Sequence, residues 1–556
     1  MANATVRMLV KDLAATDGGT PSTEKVTIAG EGDFYDGPIS PRVAVLDFEP
    51  DSGALRSGVP CVVPKKATQP FTYGFDDAPA PENIPTPSFI ATSVFGTVHR
   101  TVAKFEEADI LGRRVAWAFP GPQLLVVPRA GESENAFYER DSRSLQFFYF
   151  PHRETAARVH TALSEDIVAH ESTHAILDGI APDLYSALSP ESLALHEAVA
   201  DLGALSIALG TRALQNRFLA TTDGDLSKWD RFRGLAQSFA EGTARGSVFL
   251  RDLGNKLTME EVGATEPHEM SQVLTGAMYA LWQHLYESAR AKLTQAYPRL
   301  SAMQAAGRVL WRTREIYERM TFRALDYLPP GEATFADYAR AVLAADQAGH
   351  PESDGPRKFL KQQFVTRRIV DSLANLDVRT NFAEPTVTKI DPDVLLQSDY
   401  SAYEFANHNR KLLGIPRTIP FKILPRLASE KLYYHRTGDR RKSVREVLFK
   451  VSWTEDEPQN IAGLPRTRHI VAGTTLAIDR TTRRVRVLLR TGRDGPRRQR
   501  RDGMLRRLVA ARLLALGDDA RDVRGLPRRD VIRGEIVQGA LRLRNTAHLL
   551  HLCGEA

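Results

Sequence analysis

The stretch Asp166–Asp201 reads DIVAHESTHAILDGIAPDLYSALSPESLALHEAVAD. It contains His170-Glu171-Ser-Thr-His174 and, after a break, Glu197-Ala-Val-Ala-Asp201. On an α-helix His170 and His174 lie one turn apart on a single face. Two imidazoles so spaced can hold one zinc ion, and Glu171 sits beside them, able to act on a metal-bound water. Catalytic zinc takes three protein ligands and keeps one position open. Glu197, on a second helix, is the candidate third ligand. Asp201, one turn further on the same face, can hold a histidine ligand in its tautomer. His196 points about 100° away from Glu197 around that helix and is expected to be structural.

Working outward, the first helix is expected to start near Leu163 or Ser164, with Ile167, Val168, Ala175 and Ile176 as packing positions. The second begins at Ser189-Pro190-Glu191, where serine can cap and proline fits the first turn. Helical patterning continues from Met270 to about Ile369. Upstream, a helix is expected over 94–110, with Val98, Val102 and Phe105 on one face and Gly112 closing it. Strand-like runs follow at Gln123–Pro128 and Leu145–Phe150. Residues 1–75 look like a small β-rich module, and the proline-rich 76–89 like a linker.

A chain of 556 residues, 42% hydrophobic and 26% charged, has the composition of a globular protein large enough for several domains. Cys61 and Cys553 form no zinc-site spacing, so a metal here must use histidine and carboxylate ligands. The opening MANATVRMLVKDLAATDGG is interrupted by Lys11 and Asp12 and does not read as a signal peptide. The most apolar run, Ala198–Gly210, is too short to span a bilayer and carries Asp201. The expectation is a cytoplasmic protein with no membrane partner.

Charge is unevenly spread. From Leu376 onward there are 36 Lys+Arg against 21 Asp+Glu, although the whole chain carries only +6. This 376–556 segment is expected to be a basic accessory domain of mixed α/β structure. It includes a hairpin from Thr475–Asp479 to Val485–Leu489, and an exposed loop at the arginine-rich run 493–501. That run suits an acidic partner or nucleic acid, or docking on the acidic remainder of the chain.

These motifs together resemble the thermolysin-like gluzincins, in which His-Glu-x-x-His is followed by Glu-x-x-x-Asp. The similarity continues through His174-Ala-Ile-Leu-Asp-Gly-Ile-Ala-Pro-Asp-Leu-Tyr185, Leu250-Arg251-Asp-Leu, Pro267-His268-Glu-Met-Ser271 and Thr321-Phe-Arg-Ala-Leu-Asp-Tyr-Leu. It spans roughly residues 90–370. The resemblance implies an α+β fold: a thermolysin-like zincin core over 90–375, with a sheet-containing N-lobe and a mainly helical C-lobe. It implies zinc held by His170, His174 and Glu197, Glu171 as general base, and His268 and Tyr185 stabilising the tetrahedral intermediate. Asn135 and Ala136 would lie on an edge strand that binds substrate backbone. Arg251 would hold a substrate carbonyl, and Ile167 and Leu250 would line an apolar pocket for the residue after the scissile bond.

Some positions depart from the family pattern. Gly263 stands where an aspartate partner of His268 is expected, leaving Glu266 or Glu261 to substitute. Asp166 is kept, but Ala208 replaces an acidic calcium position, so calcium is not expected. Two other readings remain at this level. A gluzincin aminopeptidase would need a Gly-x-Met-Glu-Asn anchor, which is not found. An inactive protein could keep zinc structurally and bind peptide or nucleic acid.

Overall fold

The computed structural model describes residues 2–14, 16–17, 20–30, 32–62, 72–75, 84, 86–187, 189–244, 246–263, 266–434, 441–491, 495–517 and 532–544. It is a mixed α+β structure of helices and several separate sheets. Most of the expected linker (76–83 and 85), Arg493, Asp494 and Cys553 lie outside the described residues.

In Asn3–Leu9, buried Ala4, Val6 and Met8 alternate with half-buried residues, the period of a strand with one face in the core. It pairs antiparallel with Thr23–Ala29 and parallel with Thr72–Phe75, and Cys61–Val62 completes four strands. A second sheet runs Val43–Val45, Leu124–Val127, Ser144–Phe147, Ala136–Glu139, which leaves Ala136–Glu139 on its edge. Val43–Val45 thus joins strands from beyond residue 90. Met8, Val45, Val98, Ile176, Leu325 and Val487 belong to one continuous buried cluster.

Helix α1, Pro87–Glu106, starts earlier than expected because Thr86 caps it and Pro87 occupies the first turn. The proline run therefore leads straight into a helix. Gly112 follows with φ +60, and a Cβ there would overlap the Glu430 carbonyl. Helix α2, Glu165–Ile180, opens with Ser164 as N-cap and with Glu165 and Asp166 in its first turn, where acids suit the helix dipole. Helix α3, Pro190–Gly210, is buried along nearly its whole length. Among the described residues it is the helix long and apolar enough to cross a membrane, and here it packs inside the protein core. Its Gly203 faces Thr173 of α2, and a Cβ would overlap that hydroxyl, so the missing side chain sets how closely α2 and α3 approach.

Helices α4 (Pro267–Ala296), α5 (Ala302–Arg323), α6 (Phe335–Gly349) and α7 (Gly355–Thr366) fill the expected helical region. A nine-stranded sheet follows, centred on the long antiparallel pair Arg441–Pro458 and Thr467–Asp479. Val485–Arg490 returns antiparallel to Thr467–Asp479, as the hairpin pattern anticipated. Lys431 of this sheet is fully buried between Asp326 (2.8 Å) and Glu446 (3.3 Å), with Arg113 also on Asp326 and Arg486 on Glu446.

The arginine-rich run is not an exposed loop. From Gly495 it forms helix α8, Gly495–Ala510. Buried Arg497 pairs with Asp337, and buried Arg501 with Glu332 and Glu457. The spacing puts these cations against acids of the preceding region, and those pairings favour ordered helix over solvated loop.

Candidate active site

Helix α2 presents His170 and His174 on one face, and their Nε2 atoms lie 3.0 Å apart. Across the α2–α3 contact, Glu197 Oε1 is 3.4 Å from His174 Nε2, and Oε2 is 3.5 Å from His170 Nε2. Zinc bonds at tetrahedral angles place ligand atoms roughly 3.3–3.5 Å from one another, so this spacing fits one such ion. The other ring nitrogens are engaged. His170 Nδ1 donates to Asp201 at 2.9 Å, and His174 Nδ1 meets His196 Nδ1 at 2.6 Å. Both Nε2 atoms therefore face one point. Burial lowers the His170 pKa, but its hydrogen bonds to Asp201 and Glu197 outweigh it and raise the imidazole to about 10. Burial takes His174 the other way, below its ordinary value, so positive charge is favoured at His170 and not at His174. Burial alone would push Glu197 up; His268, His174 and His170 instead hold its carboxyl well below the usual range.

Glu171 lies beside this centre, lines the cleft, and accepts from the Tyr138 amide at 3.1 Å. Burial pushes its carboxyl up to about 8, His170 opposing that shift and Glu197 adding to it. His268, at the start of α4, brings Nε2 to 3.4 Å from Glu197. Its Nδ1 is 3.4 Å from Glu266, which also accepts the His268 amide as N-cap. Glu261 is turned to Thr258 instead, so Glu266 is the acid beside His268.

Asn135, Ala136, Ile167, Leu250 and Arg251 all line the same cleft. Arg251 is drawn onto α3: its guanidinium bonds Asp201 at 2.6 Å and Glu197 at 3.1 Å. Tyr185 is placed differently from the expectation. It is buried and not among the cleft-lining residues; its hydroxyl donates to the Tyr138 carbonyl and accepts from the Arg140 amide. The turn Pro182–Tyr185 carries it onto the backbone of the Ala136–Glu139 strand, beside the Arg140 cation.

Three features escaped sequence reasoning. His196, expected to be structural, touches His174 directly, because its offset from Glu197 around α3 aims it at that ring. Leu235, Ala236 and Phe239 supply much of the apolar wall, brought there when Asp166 accepts the Ala236 amide. Lys11, from the first strand's end, places its ammonium 2.8 Å from Asp166, and both are buried. No local pattern signals the last two, since each depends on residues distant in sequence. No protein-family model matches the chain, and no curated protein sequence matches it.

Proposed function

We propose that this protein is a zinc-dependent peptidase of the thermolysin-like kind, cleaving peptide bonds within extended substrates. The observation that carries this reading is the convergence of His170, His174 and Glu197 on one point at mutual distances of 3.0–3.5 Å, with Glu171 opening onto the same cleft. His170, His174 and Glu197 would hold the ion, with Asp201 and His196 fixing the two imidazoles. When bound, Zn2+ lowers the pKa of a water towards neutrality, polarises the scissile carbonyl, and favours the ionised form of Glu171 by its charge.

The chain's own groups supply the rest. Glu171 is placed to take a proton from the attacking water and return it to the leaving amine. The edge strand Ala136–Glu139 offers backbone groups to an extended peptide, as in strand addition. Ile167, Leu250, Leu235 and Phe239 form an apolar wall suited to an aliphatic or aromatic side chain. His268, half-exposed at the cleft, supplies a donor for developing negative charge. Tyr185 is given no such part, because its hydroxyl is committed to the strand backbone.

The test is Glu171→Gln. Hydrolysis of an unfolded protein should fall by about 10²–10⁴-fold, while metal analysis finds zinc retained at the wild-type level. Undiminished turnover in that variant rejects the mechanism. Loss of activity with a chelator, restored by added zinc, separates this reading from metal-independent chemistry.

A further inference from the structure

Helix α8 carries an arginine-rich run that the proposed reaction does not use. Two of its residues are seven apart, two turns along one side of the helix. Arg500 Nη2 lies 2.6 Å from Glu191 Oε2 in the first turn of α3, the helix that delivers Glu197 and Asp201. Arg507 lies 3.7 Å from Glu266, the N-cap of α4, the helix that delivers His268. The same helix is fixed in place by Arg497 on Asp337 and Arg501 on Glu332 and Glu457. It therefore spans the starting turns of two separate elements that meet at the cleft, from a stable seat of its own.

We infer that α8 is a clamp that sets the relative position of α3 and α4, with Arg500 and Arg507 as positioning residues for Glu197 and His268. Glu191 is almost completely buried, and its other oxygen accepts the Phe335 amide, so its charge has little access to solvent. The Arg500 contact is coulombic, poorly aligned for a hydrogen bond, and it compensates that buried carboxylate. Without Arg500 the buried Glu191 keeps only the Arg497 cation, so it takes up a proton or draws the first turn of α3 towards water, and Glu197 rides on the same rigid helix. Arg507 acts one step further out: it holds Glu266, which touches both the amide and the ring of His268. Both arginines thus meet carboxylates within the chain.

This inference rests on the proposed zinc site, and its test separates the two. Zinc release to a chromophoric chelator is measured for the wild type, Arg500→Ala and Arg500→Lys. Arg500→Ala should release zinc about tenfold faster, as loss of support behind metal ligands does, and Arg500→Lys should recover most of the difference. Equal release rates for all three overturn the Arg500 part. If Arg500→Ala does not fold, Arg500→Gln decides: release faster than the wild type is the expected result, and release at the wild-type rate overturns it.

For the other contact, the His268 ring Cε1–H signal is followed by NMR in Arg507→Ala, Glu266→Gln and the double variant. This measurement needs neither metal nor turnover. The single changes should move the signal in the same direction, and the double should add nothing to Glu266→Gln. Additive shifts, or no shift with Arg507→Ala, overturn the Arg507 part. With substrate, Arg507→Ala should lower kcat about threefold, in line with a partly exposed pair, and leave KM unchanged. A wild-type protein that binds zinc without hydrolysing peptide would reject the proposed function and leave both clamp readouts standing.

Discussion

His196 lies between packing and chemistry. It is fully buried, stacks on His174, and shares a 2.6 Å contact between Nδ1 atoms. Burial and the neighbouring His174 hold its pKa well down, so it serves as a neutral hydrogen-bond partner. His196→Ala is expected to weaken zinc binding by about tenfold or more, measured by competition with a chelator of known affinity. Asp12 offers a pH-dependent case away from the metal. Burial, with the Asp166 charge adding to it, pushes this carboxyl up to about 7. A raised carboxyl contributes stability that is fully present below its unfolded pKa of about 4 and is lost as pH rises through 7. Asp12→Asn should therefore melt at a higher temperature than the wild type at pH 8, with the difference vanishing near pH 4. At this scale the shared faces of His170 with His174 and of Glu197 with Asp201 were legible, because four-residue spacing puts each pair one helical turn apart, with Glu171 turned about 100° from His170. Tyr185 was not, because its direction depends on how the turn Pro182–Tyr185 meets a strand.

At the scale of elements, the closeness of α2 and α3 decides whether two separate motifs form one centre. Gly203 permits it, since a Cβ would overlap Thr173. Gly203→Ala should cost about 1–3 kcal/mol in a chemical denaturation curve, the usual penalty for overfilling a packed contact. It should also weaken zinc binding by moving Glu197 away from the histidines. The start of α2 could be read from Ser164, which caps it, and that of α3 from Pro190 in its first turn, although the Ser189 side chain makes no capping bond. The start of α1 was missed for an instructive reason. A proline-rich run looks like linker, yet proline after a threonine cap is also the best first residue of a helix. The arginine run was misread because charge density suggests solvent exposure, whereas Arg497 and Arg501 each meet a carboxylate supplied by another part of the chain.

The molecule as a whole is joined by buried charge as well as apolar surface. Lys431 sits with no exposure between Asp326 of the helical region and Glu446 of the large sheet. Burial works against ionisation of both acids, but Arg113 and Lys431 hold Asp326 below its ordinary range, and Lys431 and Arg486 do the same for Glu446. Depressed carboxyls stabilise above their unfolded pKa of about 4, and that contribution disappears as pH falls further. Lys431→Met leaves two buried acids short of a partner and should cost about 3–5 kcal/mol at pH 7. The loss should shrink at pH 3, as followed by denaturant titration at the two pH values. The uneven charge was visible in the sequence, but not that Lys431, Arg486, Arg497 and Arg501 are buried against carboxylates. Seen along the direction of synthesis, the clamp has a further consequence. The ribosome makes His170 and His174 more than three hundred residues before Arg500 and Arg507. An unfinished chain holds the proposed zinc-binding pair without the helix inferred to position Glu197 and His268. On the proposed reading, competence waits for those further residues, a timing that would shield the growing polypeptide and its neighbours from premature cutting.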